Sequence, residues 1–243
     1  MDLQECARRT AAPIVTVGGG FMLDPATTER GEKFGLDFGG FYGLGRGGVL
    51  GAVDADVVSS IFVFFNPDMV RGIWESARAK RAPADAAAAY AEACAAWGRD
   101  HLGGATGLDE LAPLLDRVVA AASPIGAPLF AGWRAMPLPD DAAGRVMQQL
   151  HVLREFRGGL HGVAVLAAGL SPLDALIANN SAMAPMFGWP EPYPDPEPFR
   201  PAYAEAEATT TRLVAPAFDV LDAEERDRLV ALLDGVAATA ADA

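Results

Sequence analysis

Apolar residues recur at three- and four-residue spacing along most of this chain, and stretches of strict alternation are missing. That period predicts helices. A first helix is expected over residues 2–12. Asp24-Pro25 starts a second, with Asp as cap and Pro in the first turn. Residues 54–65 (DADVVSSIFVFF) are apolar and partly β-branched, but sit between helical neighbours and are assigned to a helix. Asn66-Pro67-Asp68 restarts the pattern for a helix over 67–81, and Pro83-Ala84-Asp85 opens another to about 101. Thr106 and Asp109 have capping-box spacing ahead of a helix over 108–122. The proline-containing stretch 123–139 is expected to link two bundles. Asp140 or Asp141 then starts a long helix reaching about residue 168, stopped by Gly169. Ser171-Pro172-Leu173-Asp174 begins the next, ending near Asn179-Asn180.

The pattern breaks at 181–201, SAMAPMFGWPEPYPDPEPFRP. Seven prolines there forbid a regular helix and favour extended backbone. Phe187, Trp189, Tyr193 and Phe199 argue against a free linker, so the segment is expected to lie over a groove. Helices over about 201–216 and 222–238 follow. The expected fold is all-α, a multi-helix bundle with a Pro-rich irregular segment near the C-terminus. A helical ligand-binding body over 1–180 carries the Pro-rich segment and C-terminal helices (181–243) packed on it.

One stretch of the long helix is out of character. Residues 153–162 read LREFRGGLHG, between MQQLHV and VAVLAAGL. At helical spacing His151, Arg154, Gly158 and His161 share a face, with Glu155 and Gly162 at its edge. Arg grips carboxylates or phosphates with two prongs, and neutral His acts as a base. Glycines beside them leave room for a ligand. The alternative is that Arg154 and Glu155 pair with other helices and the histidines are core residues. A metal site lacks the usual i, i+4 ligand pair, and no GxSxG elbow supports Ser-His-Asp chemistry.

A second pattern is the recurrence of Gly35, Gly39, Gly43, Gly47 and Gly51 every four residues. Each glycine in a helix interior costs about 1 kcal/mol against alanine. The stripe is either a close helix–helix contact or a flat wall for a ligand, with Gly43 and Gly47 at its centre. GLGRGG has no GK[ST] and is no phosphate loop.

Composition narrows the functional classes. The 243 residues carry a net charge of −13, so nucleic acid would be repelled over much of the surface. The densest basic run, RGIWESARAKR (71–81), reads as a solvated helix end. Cys6 and Cys94 lie far apart and offer no CxxC zinc spacing. The apolar runs IFVFF and VAVLAAGL are too short to span a bilayer, and the N-terminus has no leader pattern. The expected location is cytoplasmic, with no membrane partner.

LREFRGGLHGVAVLAAGLSPLDAL resembles the segment LREHRGDGHxAALxxAGLxxxEAL of an uncharacterised, largely actinobacterial helical family. GLGRGGVLGAVDADVVSSIFVFFNPDMV and PIGAPLFAGWRAMPLPD are similar to its upstream segments, so the resemblance covers most of residues 35–178. Arg154, Glu155, Arg157, Gly158 and His161 match its motif; Phe156 and Gly159 replace its His and Asp. Such proteins carry a C-terminal winged helix-turn-helix-like domain, which implies a regulatory origin. Here MFGWPEPY resembles the start of that domain, and PDPEPFRP then leads into what look like its last helices. The resemblance therefore implies a divergent member without wing or recognition helix, one that does not bind nucleic acid.

Two functions follow as expectations. The first is an enzyme of secondary metabolism using cofactor-independent acid–base chemistry: isomerisation, cyclisation, elimination or hydrolysis. His161 is then acid or base, Arg154 holds an anionic or carbonyl oxygen, and Glu155 orients one of them. His151, Phe156, Arg157, Gly158, Gly159, Gly43, Gly47, Trp189 and Tyr193 are the expected substrate contacts. The second is a non-catalytic small-molecule-binding protein or ligand sensor. No cofactor is predicted; haem on His161 or His151 is a third alternative. A homodimer through the Gly stripe or apolar helices is a further option.

Overall fold

The computed structural model describes all residues, 1–243. It is 76% helical, with twelve helices and no strands. The helices are α1 (Leu3–Gly19), α2 (Pro25–Phe34), α3 (Phe38–Gly47), α4 (Ala55–Ile61), α5 (Pro67–Arg78), α6 (Pro83–Leu102), α7 (Leu108–Ala121), α8 (Pro128–Trp133), α9 (Ala142–Ala167), α10 (Pro172–Asn180), α11 (Arg200–Val214) and α12 (Ala223–Asp242).

The axis of the fold is α9. Asp141 caps it through Gly144 N–H, and Gly169, at φ 77°, ends it in the left-handed region where glycine carries no Cβ penalty. Buried residues occur around most of its circumference, as expected of a helix enclosed by others. Helices α1, α6, α7, α8 and α11 pack directly on it. The principal core runs from Cys6 to Val236, and α12 packs on α1, so the C-terminal helices share the core of the body.

The backbones of α1 and α9 meet at Gly18. A Cβ there would lie 2.5 Å from the Leu150 carbonyl oxygen. Gly19 and Gly20 are crowded in turn by Arg154 and Trp97, and α1 continues to Gly19, seven residues past the sequence expectation. Pro13 lies inside α1, and α7 contains Pro113.

Other boundaries also move. Helix α4 ends at Ile61, because the crowded Phe62–Phe65 run turns to place its rings on different neighbours. The capping box expected at Thr106 does not form: Gly107, at φ 82°, is the cap and no side chain closes it. The five-glycine stripe is divided among elements. Gly35 caps α2 at φ 91°, Gly51 turns at φ 79°, and only Gly39, Gly43 and Gly47 lie in α3.

The Pro-rich stretch is irregular but anchored. Asn66 N–H donates to the Phe187 carbonyl at 2.8 Å, and Trp189 Nε1 donates to the Phe64 carbonyl at 2.8 Å. Phe187 stacks on Phe65 with ring centroids 4.3 Å apart. No single helix is long and apolar enough to cross a membrane.

Candidate functional site

A cavity of about 670 Å³ opens beside the second half of α9. That lies within the usual size of a small-molecule pocket. α9 contributes Arg154, Glu155, Arg157, Gly158, Gly159 and His161. The walls come from α1, from Tyr42 and Arg46 of α3, from the Ile61–Phe65 turn, and from α10. Met183 and Phe187 of the irregular stretch and Tyr203 and Glu207 of α11 complete it.

Two polar groups stand on this floor. In the first, Glu155 is buried under two guanidiniums. Arg46 donates to it twice, from Nε at 2.9 Å and Nη2 at 2.8 Å, and Arg154 Nη1 adds a third bond at 2.9 Å. Burial works to raise the pKa of Glu155, but Arg46 and then Arg154 overcome it and hold the carboxylate at about 2. Arg46 uses all three of its nitrogens: besides the two bonds to Glu155, Nη1 donates to Tyr42 Oη at 3.2 Å, and its Cζ lies 4.6 Å from the Phe62 ring centre. Arg154 uses one, since its Nε and Nη2 donate to no protein group.

The second group joins α9 to α11. His161 Nδ1 lies 3.0 Å from Thr210 Oγ1, and that hydroxyl donates to the Ala206 carbonyl at 2.7 Å. Nδ1 must therefore be the donor to Thr210. Nε2 then faces Glu207 Oε1 at 3.5 Å. Arg157 donates to the other Glu207 oxygen at 2.5 Å, and Tyr203 Oη donates to Oε1 at 3.1 Å. Burial holds His161 below the ordinary imidazole value, with Glu207 pulling the other way and Arg157 adding to the decrease.

The structure thus brings six of the expected residues together: Arg154, Glu155, Arg157, Gly158, Gly159 and His161. Their environments differ. A Cβ on Gly158 would meet nothing within 4 Å, whereas Gly159 is pressed on Ala127 at 2.8 Å and Gly162 on Val63 at 2.9 Å. Only Gly158 leaves bare helix facing open space.

His151 is elsewhere. It shares the face of Arg154, but one turn nearer the helix start, where Gly18, Phe21, Tyr90 and Trp133 close the space. Burial lowers its pKa to about 4, and its Nε2 has no protein partner. Phe156 packs on Phe130 in the core. Gly43 and Gly47 lie against Ile73 and Trp74 of α5 and face away from the cavity. Trp189 and Tyr193 brace the irregular stretch from outside, Tyr193 Oη donating to the Trp189 carbonyl at 2.8 Å. The stretch reaches the cavity through Met183 and Phe187 instead.

Sequence reasoning missed Arg46, Tyr203, Glu207 and Thr210. The lone Arg46 inside GLGRGG was a signal for the first: a charge in an otherwise uncharged helix needs a partner. α11 held no comparable signal, since Glu207 is one of several acids in YAEAEATTTR.

The model of a helix-turn-helix family matches residues 7–194. The chain belongs to this helix-turn-helix family. The matched span includes most of α1, all of α2–α10 and the whole Arg46–Glu155–Arg154 group, while Tyr203, Glu207 and Thr210 lie beyond it. No curated protein and no solved structure matches the chain.

Proposed function

We propose that this protein binds a small molecule in the α9 cavity as a non-catalytic ligand-binding protein or sensor of regulator ancestry. The observation that carries this reading is the cavity itself: about 670 Å³, walled largely by aromatic and aliphatic side chains, with unspent Arg154 donors in its floor. Few, well-placed polar groups in an apolar pocket are what specific small-molecule recognition needs. The helix-turn-helix kinship supports the regulator ancestry. Net charge of −13 speaks against nucleic acid as the partner.

Acid–base catalysis, the other reading, has one observation in its favour. His161 and Glu207 face each other at the cavity wall, and such a pair can take up a proton. Against it, Glu155 is held ionised and has no proton to give near neutral pH. Both nitrogens of His161 are directed at protein groups. The same geometry speaks against haem, because the His161 nitrogens face Thr210 and Glu207 and His151 lies in the core, outside the cavity lining.

Native mass spectrometry of protein purified from its source provides the test. A bound small molecule, absent from the Gly158→Leu variant, is the expected result. Turnover of that molecule, abolished in His161→Ala with binding retained, would instead favour the enzyme.

A further inference from the structure

Charge around the cavity is unequal to that of the chain. Its lining contains four arginines and two glutamates, with no Asp or Lys, in a protein whose net charge is −13. Arg8, at the rim, is answered by Glu5 from outside at 2.6 Å. Arg157 is answered by Glu207. Arg46 and Arg154 share the single carboxylate of Glu155. One positive charge is left over on this pair, and Arg154 is the member that makes a single bond and is the more exposed of the two.

The opposite pole has the reverse character. Glu207 has already neutralised Arg157, and its oxygens are acceptors with Tyr203 and His161 around them. It welcomes a hydroxyl or amide N–H and repels a second anion. Arg154 and His161 are seven residues apart on α9, about 10 Å along the axis at 1.5 Å per residue. Between them lies Gly158, one turn from each. An alanine there would fit freely and favour the helix, so the packing of the chain does not require the glycine. Phe64 and Phe65 contribute to the apolar walls.

Resting on the binding reading above, we infer that the ligand is an elongated monoanion: a carboxylate held by Arg154, an apolar body crossing Gly158, and a neutral hydrogen-bond donor at Glu207, beside His161 and so about 10 Å further along α9. Arg154 selects the charged end, Glu207 rejects a dianion, and Gly158 sets the clearance for the body.

Displacement of the neutral dye Nile red tests this, with four ten-carbon probes: 10-hydroxydecanoate, its methyl ester, decanoate and decanedioate. 10-Hydroxydecanoate is expected to compete at least tenfold better than its ester and several-fold better than decanoate or decanedioate. Arg154→Gln brings acid and ester together. Glu207→Gln lets decanedioate approach the hydroxy acid. Gly158→Leu, folded by circular dichroism, excludes dye and probes alike. Equal competition by acid and ester in the native protein would overturn the ligand class and leave the binding reading standing. Nile red that does not bind, or binds Gly158→Leu as well as the native protein, would overturn both.

Discussion

Arg46 and Glu155, 109 residues apart in the chain, form a two-pronged ion pair in which the carboxylate side chain is only 1% exposed. The pair fastens α3 to α9 and leaves Arg154 with one bond of its capacity in use. Breaking a buried pair from one side strands the other charge, at a typical cost of about 3–5 kcal/mol. Glu155→Gln should therefore lower the urea-unfolding free energy by an amount in that range. Adding Arg46→Met should cost far less than the sum of the two single losses. Additive losses would mean that the pair is not coupled.

Thr210 and His161 form the corresponding link between α9 and α11. Thr210→Val keeps the shape but removes the oxygen that receives the His161 proton. Loss of such a buried bond costs about 1–2 kcal/mol. Hydrogen exchange should quicken in α11 more than in α6. Equal quickening throughout would remove the link from the account.

Gly18 and Gly158 make opposite predictions for one substitution. Gly18→Ala places a methyl 2.5 Å from backbone that cannot yield, and should lower the unfolding midpoint markedly. Gly158→Ala meets nothing and should raise stability by about 0.5–1 kcal/mol. Thermal melts of the two variants check both signs.

His151 gives the stability a pH dependence. The unfolded chain takes up this proton near the ordinary 6.5, the folded chain only near 4. Between those values the unfolded state holds more protons, so stability falls as pH drops from 6.5 towards 4, by up to about 3 kcal/mol, and this contribution is constant above 6.5. His161, also held low by burial, acts in the same direction. His151→Phe should reduce the slope between pH 7 and 5 without abolishing it. An unchanged slope in denaturant titrations would exclude His151 as its source.

Trp189 fastens the irregular stretch through the Phe64 carbonyl. Trp189→Phe removes the donor but keeps a ring. Proteolysis within 185–196 should accelerate several-fold while α9 stays protected.

Much of the helical order was legible in the chain because caps are local. Asp141, Gly169 and Ser171 each announce a boundary through their own chemistry, and all three act as read. The polar part of the cavity floor was also legible, since Arg154, Glu155, Arg157, Gly158 and His161 lie within eight residues of one helix. What escaped was depth and partnership. His151 has the same facing as Arg154, but no periodicity reveals that Gly18 and three aromatic rings fill the space one turn earlier. Arg46 and Glu207 meet α9 only because α3 and α11 fold against it, and spacing within either helix could not say so. The glycines of α3 had an equally plain reading as contacts, and Ile73 and Trp74 occupy the space they leave.

The reach of the family match gives α11 a separate significance. The arginine end of the pocket is written inside residues 7–194, whereas Tyr203, Glu207 and Thr210 are written after it. If the cavity holds the ligand proposed above, a few changes on one face of α11 alter its far-end contact, with Arg154 and Glu155 untouched. On the proposed reading, selectivity at the two ends is therefore separable in the gene, one end on α9 and the other on α11.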